Sequence, residues 1–485
     1  MAFPLNRRQL LGAGLAAAIP SAHAFIPVKV PQKWDETVDV LCVGTGFSGL
    51  AAAIEAHNAG ASVLVIDKMA LPGGNSILAA GGFAAPGNDM QKKAGIKDSP
   101  ELLLADMLRA GGHLNHVECA KVVAYGAYDT YRWATDYLGH SVARSCSFMN
   151  GTGADIIGPM LTKLSALKVP VRLRTKLLNF VTDDNGAVIG AEVRVNYQFP
   201  KEETGETKFI RVKRGVVLAT GGFSQNVQMR TMHDPRLTAA LDSTNSPAAT
   251  GEGLQAAQRV GAGTCLMDWI QLGPWTSPDE KGFGVCPKFV EASVGYGLMI
   301  DPKTGKRFIN ETGNRKVRAD AILAIGHPAI ILISETNMKK HVPMSTVKAG
   351  LDNGSIKRFA SLEELAQGYG IDPKLLKESV ERWNDAITKK ADPDFKAKIF
   401  DHTEVNKGTF FACRLWPRVH YCMGGLTINA KAEVIDTDFN ILPGLFAAGE
   451  VCGGVHGMVR LGTVSIADCI VYGRVAGKAA ANRKA

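Results

Sequence analysis

Apolar positions along the 485 residues fall into short unbroken runs and longer periodic stretches, and the two patterns predict different elements. Val38-Asp-Val-Leu-Cys-Val43, Val63-Leu-Val-Ile66 and Val216-Val-Leu-Ala219 have the form of strands buried on both faces of a parallel sheet. Leu50 to Ala59, between the first two, reads as a helix, so the order there is strand, turn, helix, strand. Pro443 to Val451 predicts a further apolar strand ending at Gly449-Glu450, and Val188 to Val195, within Gly186 to Gly205, predicts a hairpin strand pair. Helical periodicity marks Leu362 to Leu365 and Pro373 to Ile387. In the latter, Leu376, Val380 and Trp383 share one face, a stripe expected to be core and not site.

The turns between these runs carry the chemistry. Gly44, Gly46 and Gly49 have the G-x-G-x-x-G spacing between the first strand and its helix, and Asp67 ends the second strand. The first glycine permits a tight turn, the second lets the backbone approach a pyrophosphate, and the third lets helix pack on strand. The acid can accept from ribose hydroxyls, and the helix N-terminus favours the phosphates, so the unit predicts a dinucleotide site. A second constellation lies near the C-terminus. Arg418-Val-His-Tyr-Cys-Met-Gly-Gly425 and Gly457-Met-Val-Arg460-Leu-Gly462 each set a polar group beside glycine turns. His420 and Arg460 suit carboxylate binding, which places an anion site near the end of the Pro443–Val451 strand.

Composition changes this picture little: 46% hydrophobic and 21% charged residues are ordinary for a globular chain, and the length calls for two domains. The net charge of +9 is spread without a block of like charges, so no nucleic-acid partner is expected. Residues 1–24 read as a twin-arginine signal peptide: Asn6-Arg7-Arg8-Gln9-Leu10-Leu11, an apolar Gly12 to Ile19, then Ala22-His23-Ala24. The apolar run is too short to span a bilayer, so a periplasmic protein without stable membrane insertion is expected. The nine cysteines form no C-x-x-C and no C-x-x-C-H. No metal site or attached haem is expected, and most thiols should be free.

After Asp67 the chain continues through Gly73-Gly-Asn-Ser76 and Ala79-Ala-Gly-Gly82, and later Thr220-Gly-Gly222. With these motifs it resembles, from about Thr37 to Ala480, the flavoprotein family of soluble fumarate reductases and flavocytochromes c. Relatives in that family reduce urocanate or methacrylate, or dehydrogenate 3-ketosteroids. The resemblance implies an α/β fold, with a Rossmann-like FAD-binding domain formed by residues 37–265 and 421–480 and an inserted α+β capping domain at 267–419. It implies FAD contacts from Gly44, Gly46, Ser48, Gly49, Asp67, Lys68, Gly74, Asn75, Ser76, Gly81, Gly82, Thr220, Gly221, Glu252, Tyr421, Gly449, Glu450, Ser465 and Ile466. Covalently flavinylated relatives carry a histidine near Ser76; none stands between Asn75 and Gly82, so the FAD is expected to be non-covalent. By the same resemblance flavin N5 gives a hydride to the substrate, Arg315 gives the proton, Glu291 feeds Arg315, and His420 with Arg460 clamps a carboxylate. Well-known soluble members carry a multihaem domain, for which this chain has no haem motif, so an external donor such as a c-type cytochrome is implied.

Departures from the family pattern bear on the substrate, a small anionic enoate. A histidine before Pro274 and a threonine before Glu291 hold the second carboxylate in fumarate reductases; here they are Gly273 and Val290. A second carboxylate buried without donors costs several kcal/mol, so fumarate is expected to be a poor substrate. The pocket, with Gly273, Val290, Tyr296 and Thr463 as its expected lining, should be apolar and roomier at Gly273. A monocarboxylic enoate of the acrylate, methacrylate or cinnamate kind is expected. The family's second relay arginine is Val294, for which Lys316 or Arg318 are the available replacements. The alternatives are a fumarate reductase, an FAD dehydrogenase acting on a neutral ketone such as a 3-ketosteroid, and a non-catalytic electron-transfer flavoprotein.

Overall fold

A computed structural model describes residues 28–139, 152–400, 405 and 408–484. The expected signal segment 1–24 and Cys146 lie outside the described residues. The predicted opening unit forms as β1 (Glu36–Val43), α1 (Phe47–Asn58) and β2 (Val63–Ile66), with β1 and β2 parallel and in register from Val40↔Val63 to Val43↔Ile66. Both strands are buried on both faces, which is why they read as unbroken apolar runs. They belong to an eight-stranded sheet in the order Glu433–Ile435, Ile441–Ala447, Glu206–Leu218, β1, β2 and Val171–Arg172. The strand from 206 is longer than the predicted Val216–Ala219. Its first half pairs antiparallel with Val188–Val195, which in turn pairs with Lys176–Thr182. The stretch Gly186 to Gly205 therefore supplies one strand of a three-stranded meander, with its partners before and after it. The C-terminal helix Val464–Asn482 packs against α1 and covers this sheet.

A second sheet, antiparallel throughout, runs in the order Lys306–Arg307, Leu298–Asp301, Ala329–Ser334, Phe410–Leu415 and Lys357–Phe359. Its central strand Ala329–Ser334 is buried on both faces and feeds two cores by simple alternation. Ile331 and Ile333 join Phe289, Val290 and Met299 on one side, while Ile330 and Leu332 join Leu376, Val380 and Trp383 on the other. The last three are the predicted stripe of the helix Pro373–Lys389, and Trp383 is fully buried.

The main chain passes between the two sheets twice, and the two passages lie side by side. Ile270–Gly273 pairs antiparallel with Arg418–Cys422, and Thr264–Cys265 pairs with Gly425–Leu426. The eight described cysteines are all free. Among the described residues no helix is long and apolar enough to cross a membrane, and no cluster of three His, Cys, Asp or Glu side chains could hold a metal ion.

Candidate active site

A cleft starts at the turn between β1 and α1. Gly44 has φ +114°, and a side chain there would press into the Ala219 carbonyl; a Cβ on Gly49 would press into the carbonyl of Gly44. The cap of α1 is Gly46, which offers no side-chain acceptor, and this helix start lines the cleft. Asp67 accepts from Thr45 N–H (2.9 Å), Thr45 Oγ1 (2.5 Å) and Met69 N–H (2.9 Å), so it fixes the turn as well as facing the cleft. A carboxylate has about four acceptor positions, which leaves one for a ribose hydroxyl. Glu252, at the start of the helix Glu252–Arg259, lies between Lys68 and Lys176. Burial opposes its charge, but the two ammonium groups outweigh burial and hold its carboxyl at about 2.

Of the residues expected at FAD, Gly49 and Gly449 pack just behind the cleft, Gly81, Gly82, Tyr421, Ser465 and Ile466 line a second compartment, and the others line the cleft. Lys176 and Thr250, which sequence reasoning missed, line it too. Lys176 stands on a strand of the meander, and its only sequence signal is a lysine opening an apolar run. Phe47, Asn75, Ser76, Glu450 and Cys469 also border the second compartment, of about 840 Å³, so the two are continuous. Ser76 Oγ accepts from Phe47 N–H (3.0 Å) at this junction. Glu450 Oε1 accepts from Cys422 N–H (3.0 Å), and burial pushes its carboxyl up to about 7.

The second compartment brings together Arg315, Glu291, His420 and Arg460. Arg315 opens the helix Arg315–Ile325, whose cap Asn314 accepts from Val317 N–H (3.0 Å), and Glu291 stands on Cys286–Ser293. The Arg460 backbone N–H is held by Gln271 Oε1 (2.9 Å), a buried polar side chain on the crossing strand. Arg460 Nη2 lies 2.9 Å from His420 Nε2. A guanidinium only donates, so Nε2 accepts, and the imidazole proton belongs on Nδ1, 2.8 Å from Thr244 Oγ1. Burial, then Arg460 and Arg315, depress His420 well below its ordinary range, which keeps it neutral. Burial, then Arg460, lowers Arg315 to about 9.

Two arginine donors in this chamber, Arg315 Nη1 and Arg460 Nε, are buried without a partner, and among the described residues neither arginine forms an ion pair. Glu291 pairs with Arg318 Nη2 (3.0 Å), not with Arg315. Val294 therefore leaves no vacancy beside Glu291, because an arginine one turn beyond Arg315 on the neighbouring helix takes the place. Lys316, the other available replacement, pairs with Asp320.

The expected pocket lining needs correction. Thr463 lines the compartment, whereas Gly273, Val290 and Tyr296 lie one layer behind its wall. Val290 is fully buried in the core of the second sheet, and Tyr296 stacks on His341, which lines the wall in its stead. The room expected at Gly273 is filled by the indole of Trp275.

A dinucleotide cradle of glycines that opens into a cationic chamber is the site of an FAD-dependent oxidoreductase, and the fit to FAD rests on the close backbone packing that Gly44 and Gly49 permit and on the uncapped helix start at Gly46 that lines the cleft. A family model described as an FAD binding domain matches residues 39–148 and 136–466. The chain is 40% identical to the acrylate reductase flavoprotein subunit of Shewanella woodyi over 98% of each chain. It is 36% identical to a fumarate reductase (cytochrome) of Shewanella frigidimarina, over 92% of this chain and 77% of that one. Among solved structures, the open conformation of a flavocytochrome c3 fumarate reductase matches with a TM-score of 0.76 at 31% identity, covering 92% of this chain and 78% of that one. The chain belongs to the FAD-binding flavoprotein family that contains the acrylate, fumarate and urocanate reductases, enzymes of carbon–carbon double bonds.

Proposed function

We propose that the protein reduces the double bond of a monocarboxylic enoate, of the acrylate, methacrylate or cinnamate kind, and not of fumarate. One observation carries this reading: two guanidinium groups face one chamber, each with a buried unpaired donor and, among the described residues, no carboxylate partner. An anion completes the site, because buried charge without a partner is costly. When bound and reduced, FAD supplies the hydride for the β-carbon. Arg460 holds the substrate carboxylate, with its guanidinium oriented by His420 Nε2, and also meets the negative charge that develops as the double bond is attacked. Arg315 delivers the proton to the α-carbon, and burial beside a second arginine makes its guanidinium a usable acid. The second carboxylate of fumarate would meet the indole of Trp275, backed by Val290, where fumarate reductases offer donors.

Three further elements belong to the proposal. FAD is held without a covalent bond, since Ser76 stands where flavinylated relatives have histidine. Electrons come from an external carrier such as a c-type cytochrome, in keeping with the relative named as a flavoprotein subunit. The twin-arginine segment directs the protein to the periplasm.

The test is anaerobic oxidation of a reduced viologen by the FAD-loaded protein with fumarate, acrylate, methacrylate, crotonate, cinnamate and urocanate. Acrylate is expected to exceed fumarate in kcat/KM by about 10²-fold, corresponding to roughly 3 kcal/mol for an unsatisfied carboxylate. A preference for fumarate would refute the reading of Gly273 and Val290. No turnover of any enoate would move weight to a ketone dehydrogenase or an electron carrier.

The relay also makes a prediction. Arg318→Met keeps the side-chain volume but removes the charge beside Glu291, so kcat should fall on the order of 10- to 100-fold with KM little changed. Steady-state kinetics across pH checks it, and a parental kcat would remove Arg318 from the proton path.

A further inference from the structure

We infer that Trp275 sets the size of the substrate, restricting the site to monocarboxylic enoates of three or four carbons. The inference rests on the enoate reading above and narrows it. Its starting point is the missing side chain at Gly273. An ideal Cβ at that position would lie 3.2 Å from Trp275 Cζ2 and 3.3 Å from Cε2, so the six-membered side of the indole packs directly on the glycine. Any larger residue at 273 would force the ring outward. Glycine at this position is therefore a seat for the tryptophan two residues later.

The seated ring touches both working parts of the chamber. It meets the His420 imidazole edge to face, with centroids 5.1 Å apart at 80°, and the Arg315 guanidinium lies 4.4 Å from its centroid. A carboxylate on Arg460, beside His420, is one bond from the carbon that Arg315 protonates. A ring in contact with both groups borders that bond and its substituents. A methyl group asks for a small adjustment, whereas a phenyl ring or a second carboxylate asks for the volume the indole fills.

The plug is also rigid. Trp275 is 2% exposed and belongs to the core that contains Phe289, Val290 and Met299. The turn that carries it is tied down by Thr276, whose Oγ1 lies 3.0 Å from Gly273 O and 2.6 Å from Trp416 O, and whose carbonyl accepts from Trp416 N–H (3.0 Å). A side chain with its backbone held on both sides cannot swing away to admit a larger acid.

The test compares the FAD-loaded full chain with Trp275→Ala and Trp275→Phe. Two quantities are read: kcat/KM for acrylate, crotonate and cinnamate, and the dissociation constants of propanoate and 3-phenylpropanoate from perturbation of the flavin spectrum. Each methylene-sized change in a closed apolar pocket is worth about 10- to 200-fold. The cinnamate-to-acrylate ratio should therefore rise by about 10²-fold in Trp275→Ala, and 3-phenylpropanoate should bind where it did not before. Trp275→Phe, which keeps an aromatic ring in the core, should shift preference toward crotonate by about 10-fold, and it carries the test if the alanine variant does not fold. Unchanged ratios and unchanged selectivity between the two saturated acids, in a variant that retains FAD, would overturn the inference. If the parent reduces no enoate, the enoate reading falls. The binding measurements then still decide whether Trp275 sorts carboxylates by size.

Discussion

Replacing Arg315 with alanine is expected to lower kcat by about 10³-fold or more while the purified protein keeps its full complement of FAD. Arg315 belongs to the second compartment and does not line the glycine cradle, so cofactor content reports folding independently of chemistry. The parent should also show the acid in its pH dependence. Arg315 must be protonated to give a proton, and its folded value is about 9. Turnover should therefore hold through neutral pH and fall about tenfold per unit above that value. In Arg315→Ala that limb should vanish from whatever activity remains. Near-normal turnover by this variant would remove Arg315 as the proton donor. Loss of FAD would mean that the arginine supports the fold instead.

The second large effect concerns the cradle. Gly49→Ala should yield protein with less than about a tenth of the parental FAD, and much of it unfolded. The added methyl points into the carbonyl of Gly44, a backbone atom fixed by the turn from β1, so the strain cannot be relieved by a rotamer change. Overpacking typically costs 1–3 kcal/mol where side chains can yield, and more is expected where only backbone can. Gly158→Ala is the matched control. It lies exposed in the helix Ala154–Ala166 with open space around its Cβ position beyond its chain neighbours, and since Pro159 follows it and opposes the helix-propensity gain, stability should change by less than about 1 kcal/mol with FAD retained. Flavin absorbance per mole of protein and the thermal midpoint decide between these outcomes. A Gly49→Ala protein that retained FAD would show that α1 can move away from β1.

These contrasts show what could be read from sequence. β1, α1 and β2 were legible because parallel strands buried on both faces leave no polar alternation, and because glycine spacing reports local backbone needs. The stripe of Leu376, Val380 and Trp383 was legible for the same local reason. Gly273 was misread because a sequence shows a small residue as missing volume and cannot show the neighbouring ring that fills it. Val290 was placed at the wall because the family's carboxylate-binding threonine stands there, and Tyr296 from its nearness in sequence, yet a helix and the turn after it point successive side chains in different directions. The charge beside Glu291 was among the two replacements the sequence offered, Lys316 and Arg318, and it is Arg318; sequence could not choose between them because the group arrives from another helix. The long strand Glu206–Leu218 was seen only in its apolar half because the other half serves a meander with one wetter face.

The paired crossing strands carry one more implication. His420 stands on the returning strand, and Trp275 lies just beyond the outgoing one, while Arg315 belongs to the part of the chain those strands deliver. The clamp arginine and the acid thus come from opposite sides of the paired strands, so the distance between them is fixed by how the two sheets meet and by no contact within either one.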